Sequence, residues 1–512
     1  MSRSRVSREQ SLAEIFHEGT KYRDGGAFHA PDLAAQASPY KDFHSEQPID
    51  LVPDLNFENF PLGPSSHQQP RDSSLLPPIV GRLSRLLFYT CGATGVRQSP
   101  EGVQLFRAAP SAGALYPTET YVVPGPGSGL EEGLYDYAVH RHQLVPVFEG
   151  ELFEEIRQHC FSTPAFAKAD ALLILTGIYR RSSWRYHDRA YRRILLDTGH
   201  VLGNLRLAAE SEGWRVAPTS AFEDGPLAQL LFLDPKEEGV LVVAPLVPET
   251  EVDAGGALLG PMRRSPISRG PISTGESLLH AVHRGSEIDR DDPVHSTGTL
   301  PWPPAEEEEL RAPIPLGKTF DGLAGAFPET VVSRRSTRAF TGGVISRDAL
   351  AKILDYGHRA ASPGPVRLLQ APERIATHLV VQRITGLEPG VYRYLPDEHE
   401  ILMVRPGDFH REMGHCALGQ DLAANAAAVV VHTADLASAI DTYGDRAYRY
   451  LHLDAGVIGQ YLNLAAARLG VGVSGIGGFF DDEVNTLLNL PATHAVLYLT
   501  VLGEPAPSHG AD

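Results

Sequence analysis

Cysteine is scarce in this chain, which has three such residues among 512. Cys91, Cys160 and Cys416 lie far apart and form no paired motif, so we expect no disulfide framework, structural metal site or dithiol redox centre. This cysteine usage is typical of a reducing compartment, and we predict a cytoplasmic location. The 21 histidines include no pair with metal-ligand spacing and acidic support, so no metal site is predicted.

Long apolar runs are also missing. None reaches the 18 residues typical of a membrane span, and the polar start MSRSRVSREQ leads into no apolar segment of signal-peptide length. Lys and Arg number 45 against 63 Asp and Glu, which gives a net charge of −18. This acidic balance argues against nucleic acid and anionic membranes as partners, although it permits a local basic pocket for a phosphate.

What the chain does contain is an internal repeat. Residues 186–209 read YHDRAYRRILLDTGHVLGNLRLAA and residues 443–466 read YGDRAYRYLHLDAGVIGQYLNLAA, with 13 of 24 positions identical and an offset of 443 − 186 = 257. The repeat predicts one domain that has been duplicated. Such a pair can form, inside one polypeptide, the two-fold interface that a homodimer forms between two chains.

The same offset relates further elements of the two copies. The continuous apolar runs 171–176 and 428–433 predict strands that are buried on both faces. The shared segment predicts a helix of about seven turns, because apolar residues recur at spacings of three, four and seven. The residues of this stripe are Tyr191, Leu195, Leu202, Leu205 and Ala209. Each copy is therefore predicted to be a mixed α+β unit.

The predicted domain limits follow from the repeat and from composition. We expect a Pro-rich N-terminal extension at 1–75, a first domain at 76–248, a linker at 249–327 and a second domain at 328–512. Proline and glycine are dense in the linker without any period, which predicts irregular chain. The N-terminal extension has a similar composition and could offer a surface to a partner or substrate.

Three local motifs could carry chemistry. The motif SRRSTRAF at 333–340 combines three arginines with hydroxyl groups, a composition suited to phosphate, and Ser346 is a good N-cap for the helix that follows. The motif GIGGFFDD at 475–482 has glycines that would let a flat ligand approach the backbone. The motif PSAGALYP at 110–117 predicts a rigid loop of small residues. Each motif taken alone is also compatible with an ordinary turn.

Together these motifs resemble the FMN-dependent nitroreductase superfamily, and within it the SagB-type azoline dehydrogenase branch. The resemblance implies two tandem nitroreductase-like α+β domains that form an intramolecular pseudo-dimer with FMN at the interface. It also implies three groups of cofactor-binding residues. These are Arg334, Arg335, Ser336 and Arg338 for the phosphate and ribityl chain, Gly477 and Gly478 for the reactive N5 edge, and Pro110, Ser111, Ala112 and Gly113 as the loop that covers the ring.

The two copies have diverged in a complementary way. The first copy has LLPPIVGRLS at 75–84 in place of the arginine motif, and Thr219, Ser220 and Ala221 opposite the glycine loop. The second copy has SPGPVRLLQAP at 362–372 in place of the covering loop. One complete set of parts remains, so we predict one FMN per chain.

The catalytic residues are predicted from the position just before the long helix, where the branch has a Lys-Tyr pair. This chain has Arg185 and Tyr186 in the first copy, and Thr442 and Tyr443 in the second. Tyr186 is the candidate base, with Arg185 as the cation that would lower its pKa. Arg185 cannot release a proton as lysine can. A packing role for Tyr186 at the helix start is the alternative, and His187 is a further candidate neighbour.

The predicted reaction is a two-electron oxidation of an azoline or a similar C–N or C–C bond in a modified peptide or related natural product. Oxygen or another acceptor would reoxidise the flavin, and biosynthetic partner proteins are expected. Two alternatives stay open. One is an NAD(P)H-dependent nitro- or quinone reductase, because the superfamily needs no Gly-rich dinucleotide motif. The other is a flavin-free scaffold subunit of a biosynthetic complex.

Overall fold

Two lobes of the same architecture make up the described part of the chain. The computed structural model describes residues 11–26, 30–51, 77–99, 102–251, 263–267, 271–293, 312–317, 320, 322–323, 325–359 and 374–507. Each lobe has a seven-stranded antiparallel sheet, and helices pack against it. The predicted duplicated α+β fold is confirmed.

The first lobe is built on a sheet in the order β1-β6-β5-β4-β7-β9-β8, with β2 and β3 forming a separate hairpin. Its elements in chain order are α1 (Leu12–Gly19), β1 (Ile49–Asp50), α2 (Pro78–Cys91), β2 (Ala93–Ser99), β3 (Gly102–Arg107), β4 (Thr118–Pro124), β5 (Gly133–Ala138), β6 (Gln143–Glu149), α3 (Phe153–His159), β7 (Ala171–Ile178), α4 (Arg180–Tyr186), α5 (Ala190–Ser211), β8 (Trp214–Val216), α6 (Asp224–Leu230) and β9 (Glu238–Pro248).

The second lobe repeats this strand order as β10-β13-β12-β11-β14-β16-β15. Its elements are α7 (Leu278–Gly285), β10 (Ile314–Pro315), α8 (Phe327–Ser333), α9 (Arg347–Arg359), β11 (Ala376–Val381), β12 (Gly390–Leu395), β13 (Glu400–Pro406), α10 (His410–Cys416), α11 (Asp421–Ala424), β14 (Ala428–Asp435), α12 (Leu436–Tyr443), α13 (Ala447–Arg468), β15 (Gly472–Ile476), α14 (Asp481–Leu487) and β16 (His494–Gly503).

The duplication is preserved in the details of the sheets. The predicted buried runs lie inside β7 and β14, and every residue of both runs is buried. The pairing of β7 with β9 shifts register between Leu175 and Thr176, and that of β14 with β16 shifts between His432 and Thr433. Because 433 − 176 = 257, the same irregularity stands at the same place in both sheets.

The two long helices form the seam between the lobes. Each of α5 and α13 has 22 residues, or about six turns, one fewer than predicted. The predicted apolar stripe of α5 is only part of its buried surface, because α13 packs against another face of the helix. Polar residues such as Arg192, Asp197 and His200 are therefore buried as well.

Buried ion pairs join the lobes at both ends of this seam. Arg189 and Arg192 each place Nη1 2.7 Å from the carboxylate of Asp481. Burial alone would raise the pKa of Asp481, but the two guanidinium charges outweigh burial and hold that pKa well below its usual range. The equivalent cluster, offset by 257 in each residue, consists of Arg446, Arg449 and Asp224.

Two short helices extend the repeat beyond the predicted domains. Helix α1 is capped by Ser11 and α7 by Ser277. Beyond α1, the Tyr22 N–H donates to Asp481 at 3.0 Å, and beyond α7 the Ile288 N–H donates to Asp224 at 2.9 Å. The prediction of irregular chain is therefore wrong at these two helices, whereas the domain limits stay predictions.

Candidate functional site

Arg334 reaches from the second lobe into the first. It follows helix α8 directly. Three residues later, the Thr337 N–H donates to the Val473 carbonyl of β15 at 2.8 Å and so holds this segment against the sheet. Arg334 Nε donates to the Ala108 carbonyl at 3.0 Å, and the residue is only 4% exposed. Burial lowers the pKa of this guanidinium to about 10, so it stays charged at neutral pH. Its Nη1 has no hydrogen-bond partner among the described residues.

The other polar residues of the arginine motif lie nearer the surface. Arg335 Nη2 donates to the Thr94 carbonyl at 2.7 Å, and a Cβ atom at Gly95 would lie 2.6 Å from that nitrogen. Arg338 is exposed and forms no hydrogen bond within the described ranges, and Ser336 is half-buried. Two of the arginines thus bind the backbone of the first lobe, while Arg338 remains available to an anion.

The covering loop comes directly after the residues that Arg334 contacts. Ser111 Oγ donates to Asp197 Oδ2 at 2.6 Å, and the Ala112 N–H donates to the same carboxylate at 3.2 Å. Gly113 has a φ of 66°, a left-handed conformation that favours glycine. A Cβ atom there would lie 2.8 Å from Tyr186 Oη. The structure therefore brings the arginine motif, the covering loop and Tyr186 to one seam.

Asp197 anchors this loop, and sequence reasoning did not identify it. Burial raises the pKa of its carboxyl group to about 7, although the bonds from Ser111 and Ala112 and the charge of Arg193 oppose that shift. The group therefore titrates near neutral pH. The one available sign in the sequence was that both copies have aspartate here, the second as Asp454.

Tyr186 ends helix α4 and lies against a guanidinium group. The Cζ atom of Arg193 is 3.8 Å from the ring centroid, while that of Arg185, which is exposed, is 5.7 Å away. Burial raises the pKa of Tyr186, and the two arginine charges offset this only in part. Arg185 therefore does not bring the pKa of Tyr186 below its usual value, and Tyr186 keeps its proton at neutral pH. The catalytic roles of Tyr186 and Arg185 stay predictions. His187 Nε2 is 3.0 Å from the Ala30 carbonyl oxygen.

Gly477 and Gly478 follow β15 and border the same arginine. A Cβ atom at Gly477 would lie 3.6 Å from Arg193 Nε, and one at Gly478 would lie 3.6 Å from Arg193 Nη2. Sequence reasoning missed Arg193. The difference between the two copies could have revealed it, because the second copy has Tyr450 at this position of an otherwise similar helix.

A small cavity lies beneath the covering loop. Its volume of about 10 Å³ is enough for about one water molecule and too small for a flavin. Residues that line it include Cys91, Arg107, Pro110, Ser111, Tyr116 and Asp197.

Among the described residues, no group of three or more His, Cys, Asp or Glu side chains could hold a metal ion. No described helix is both long and apolar enough to cross a membrane. All three cysteines are free and buried, and burial raises the pKa of Cys91 to about 11.

The position related to this site by the 257-residue offset is filled by the chain itself. The Ser265 N–H donates to the Tyr443 carbonyl at 3.1 Å, and Tyr450 Oη donates to the Arg263 carbonyl at 3.0 Å. Gly444 has a φ of 64°, and a Cβ atom there would overlap the Ser265 carbonyl oxygen. We call residues 263–267 the plug segment. The second copy's stretch 362–372 lies outside the described residues.

Comparison with solved structures finds the same fold along nearly the whole chain. A crystal structure of a "putative nitroreductase" from Anabaena variabilis superposes with a TM-score of 0.84 at 36% identity, over 97% of this chain and 100% of that one. The two-lobed arrangement is therefore shared by another protein.

Curated relatives match parts of the chain. A protein of Methanocaldococcus jannaschii named "Putative nitroreductase" is 34% identical over 155 residues, which are 30% of this chain and 75% of that protein. The trifolitoxin-processing protein TfxB of Rhizobium leguminosarum bv. trifolii is 29% identical over 41% of this chain and 56% of its own length. The trifolitoxin operon protein TfxC of that organism is 29% identical over 37% of this chain and 60% of its own length. The match thus spans less than two thirds of either trifolitoxin protein.

The sequence profile described as "Nitroreductase family" matches this chain twice, at residues 92–246 and 331–504. These two regions coincide with the two lobes, and together they cover more than half of the chain. The predicted tandem arrangement is confirmed, and the chain belongs to the nitroreductase family.

Proposed function

We propose that this chain is an FMN-dependent oxidoreductase that holds one flavin in the seam between its lobes. The observation that carries the proposal is the hydrogen bond from Arg334 to Ala108, which sets the arginine motif of one lobe against the covering loop of the other. The residues fit a flat anionic ligand. Arg334 has a buried N–H group without a partner, and Gly113 and Gly477 present backbone rather than side chain.

Each predicted group of residues has a place in this proposal. Exposed Arg338 and the unpartnered Nη1 of Arg334 would bind the phosphate, with Arg335 and Ser336 beside the ribityl chain. Gly477 and Gly478 would face the ring edge. The loop that would cover the ring consists of Pro110, Ser111, Ala112 and Gly113.

The plug segment supports a stoichiometry of one flavin per chain. Ser265 and Arg263 hydrogen-bond at the positions equivalent to Tyr186 and Arg193, so chain atoms stand there instead of a ligand. The sequence at the first copy's opening helix, LLPPIVGRLS at 75–84, has no counterpart of the arginine motif. The second position therefore lacks both the space and the guanidinium groups.

Bound FMN would supply the capacity to accept a hydride. The side chains around the flavin would orient the substrate and hold the proton of Tyr186. Tyr186, protonated at neutral pH, would donate a hydrogen bond from Oη toward the substrate, with Arg185 adding positive charge at the edge of the site. Asp197 acts through Ser111 by fixing the loop.

The names of the trifolitoxin relatives support a peptide natural product as the substrate class. We infer that the reaction is the dehydrogenation of an azoline or similar C–N or C–C bond, in which the substrate would lose a hydride to the bound flavin and a proton to solvent. Oxygen or another acceptor would reoxidise the cofactor. Proteins of the same biosynthetic route are the expected partners.

A second function, NAD(P)H-dependent reduction of nitro compounds or quinones, is favoured by one observation. Tyr186 is held in its protonated form, which suits a group that gives a proton to a reduced product better than one that removes it. Steady NADPH oxidation with menadione or nitrofurazone, and no dehydrogenation of azoline peptides, would favour this function. The opposite pattern would favour the dehydrogenase.

The proposal is tested by the flavin content of the purified chain, measured from its absorbance spectrum. We expect one FMN per chain and a loss of FMN affinity of about tenfold or more in Arg338→Ala, because a charge-assisted contact contributes about 1.5–3 kcal/mol. Arg157→Ala, at a partly exposed arginine of α3, is the control that should bind FMN normally. A colourless protein that takes up no FMN would refute the cofactor, and a ratio near two would refute the single site.

A further inference from the structure

Arg193 is a buried cation with no hydrogen-bond or ion-pair partner in the described structure. The residue is 6% exposed, and its Nη1 has no hydrogen-bond acceptor. Within the described ranges Arg193 forms no ion pair either. Its guanidinium group makes a cation–π contact with the ring of Tyr186. A buried N–H group of this kind calls for an acceptor, since nearly all buried donors in native proteins have one.

The neighbouring groups on the helix do not provide that acceptor. Arg189 and Arg192, which stand just before it, are both paired with Asp481. Asp197, one turn further along, already accepts hydrogen bonds from the covering loop. Among these three arginines, Arg193 is therefore the one that forms no direct bond with a carboxylate, although its charge acts on Asp197.

The equivalent position in the second copy shows what kind of partner is missing. Tyr450 occupies it, and Tyr450 Oη donates to the carbonyl oxygen of Arg263 in the plug segment. In the second copy, the side-chain donor at this helix position therefore bonds an oxygen of the plug segment, which occupies the seam there. At the working position, the plug segment has no counterpart among the described residues.

We propose that Arg193 contacts the bound flavin and donates a hydrogen bond from Nη1 to an acceptor atom of the ring edge. The inference rests on the proposed function. Two observations favour the flavin as the ligand. The guanidinium group lies beside the backbone of Gly477 and Gly478, which have no side chains, and its Cζ atom is 3.8 Å from the centroid of the Tyr186 ring.

A contact of this kind sets the redox behaviour of the cofactor. Reduction adds negative charge to the ring, and a buried guanidinium stabilises that charge more than it stabilises the neutral oxidised ring. Arg193 therefore acts as a residue that raises the reduction potential of the bound flavin. Its absence from the second copy agrees with the filled state of that position.

The test compares Arg193→Met, Arg193→Lys and Arg193→Tyr with the unmodified chain; tyrosine is the residue at the equivalent position. Flavin potential is measured by spectroscopic titration against a reference dye, and the dissociation constant of oxidised FMN by fluorescence. We expect Arg193→Met to weaken the binding of reduced FMN at least tenfold more than the binding of oxidised FMN. For a two-electron couple, this corresponds to a fall of about 30 mV in the reduction potential of the bound flavin. Arg193→Lys should retain part of the effect, and Arg193→Tyr should resemble Arg193→Met.

The apoprotein gives an independent readout. Replacing an unpaired buried charge by the apolar Met side chain should leave the melting temperature of the flavin-free protein unchanged or raise it. The inference would be overturned if Arg193→Met changed neither the affinity for oxidised FMN nor the ratio of reduced to oxidised affinity by more than twofold. That result would leave the flavin site intact. Failure of the unmodified chain to bind FMN would instead overturn the proposed function.

Discussion

Gly199 and Gly456 face each other where the two long helices cross. A Cβ atom on Gly199 would lie 2.8 Å from the Cα of Gly456, and one on Gly456 would lie 2.9 Å from the Cα of Gly199. Because 456 − 199 = 257, the pseudo-two-fold axis of the molecule passes between them. The contact of these backbones brings the lobes together and so determines the width of the seam.

Replacing either glycine with alanine should therefore separate the helices. The added methyl group has backbone atoms of the other helix as its neighbours, and these cannot move aside as a flexible side chain can. We expect Gly199→Ala and Gly456→Ala each to lower the free energy of unfolding by about 1–3 kcal/mol or more, measured by urea denaturation.

Gly81→Ala is a matched control for this experiment. Gly81 lies within helix α2, where a Cβ atom would have only an arginine side-chain nitrogen at 3.9 Å as a neighbour. Alanine should raise helix stability there by about 0.5–1 kcal/mol. Equal stabilities of Gly199→Ala and Gly81→Ala would show that the crossing is looser than these distances imply.

The buried ion pairs predict an acid-sensitive interface. Asp481→Asn would leave Arg189 and Arg192 buried without a counter-charge, at a cost of about 3–5 kcal/mol. The folded pKa of Asp481 is held below its unfolded value, so its stabilisation is present above about pH 4 and is lost as the pH falls further. Unfolding free energies of the variant and the unmodified chain should therefore converge in acid.

Asp482→Asn tests whether the effect belongs to the buried carboxylate. Asp482 is the next residue and pairs with Lys21 at 2.8 Å, but its side chain is 47% exposed. Lys21 also pairs with Glu18 at 2.6 Å and so keeps a carboxylate when Asp482 is replaced. The loss should be about 0–1 kcal/mol, and this variant should remain close to the unmodified chain at every pH. A similar loss in both variants would contradict the role given to Asp481.

The sequence predicted the lobes well and their extensions poorly. Helices α5 and α13 share a gapless register, so their equivalence is plain from residues alone. Helices α1 and α7 belong to the same repeat, but their offset is 277 − 11 = 266, and 4 of 10 residues agree between SLAEIFHEGT and SLLHAVHRGS. Intervening chain of unequal length hid that relationship, which the shared contacts with Asp481 and Asp224 reveal.

The candidate site was predicted in composition but not in electrostatics. The arginine motif and the covering loop meet, because both lie in continuous segments with distinctive residues. The protonation state of Tyr186 depends instead on how deeply the fold buries it, and no local pattern reports burial at a lobe interface. Asp197 and Arg193 were missed for the same reason, since their roles arise from packing against the opposite lobe or loop.

Asp197→Asn should change how the stability of the apoprotein depends on pH. The folded pKa of about 7 lies above the unfolded value of about 3.9, so the folded state holds the proton more tightly. Stability from this group is therefore greatest below pH 4 and is lost as the pH rises to about 7. The asparagine side chain of the variant does not titrate. The unfolding free energy of the variant minus that of the unmodified chain should therefore rise by about 1–3 kcal/mol between pH 5 and 7. Parallel pH profiles in urea denaturation would contradict the raised pKa.

Gly444→Ala should expel the plug segment. The backbone at Gly444 is left-handed and a Cβ atom would overlap the Ser265 carbonyl oxygen, so we expect a destabilisation of about 1–3 kcal/mol. Limited trypsin digestion reports the segment directly, because Arg263 and Arg264 are cleavage sites that should become accessible. His187→Gly, at the equivalent position, is the control, since it removes a side chain where no plug segment is described and should leave digestion at these arginines unchanged.

The flavin content of Gly444→Ala shows whether the plug segment or the missing arginine motif limits the chain to one site. If the missing arginine motif alone prevents binding at the second position, Gly444→Ala will still hold one FMN per chain after the plug segment is released. We expect this result, because the sequence at the first copy's opening helix, LLPPIVGRLS at 75–84, has no counterpart of the arginine motif that would bind a phosphate. A second equivalent of FMN in the variant would show instead that the plug segment is the sole barrier and that the phosphate can be bound without those arginines.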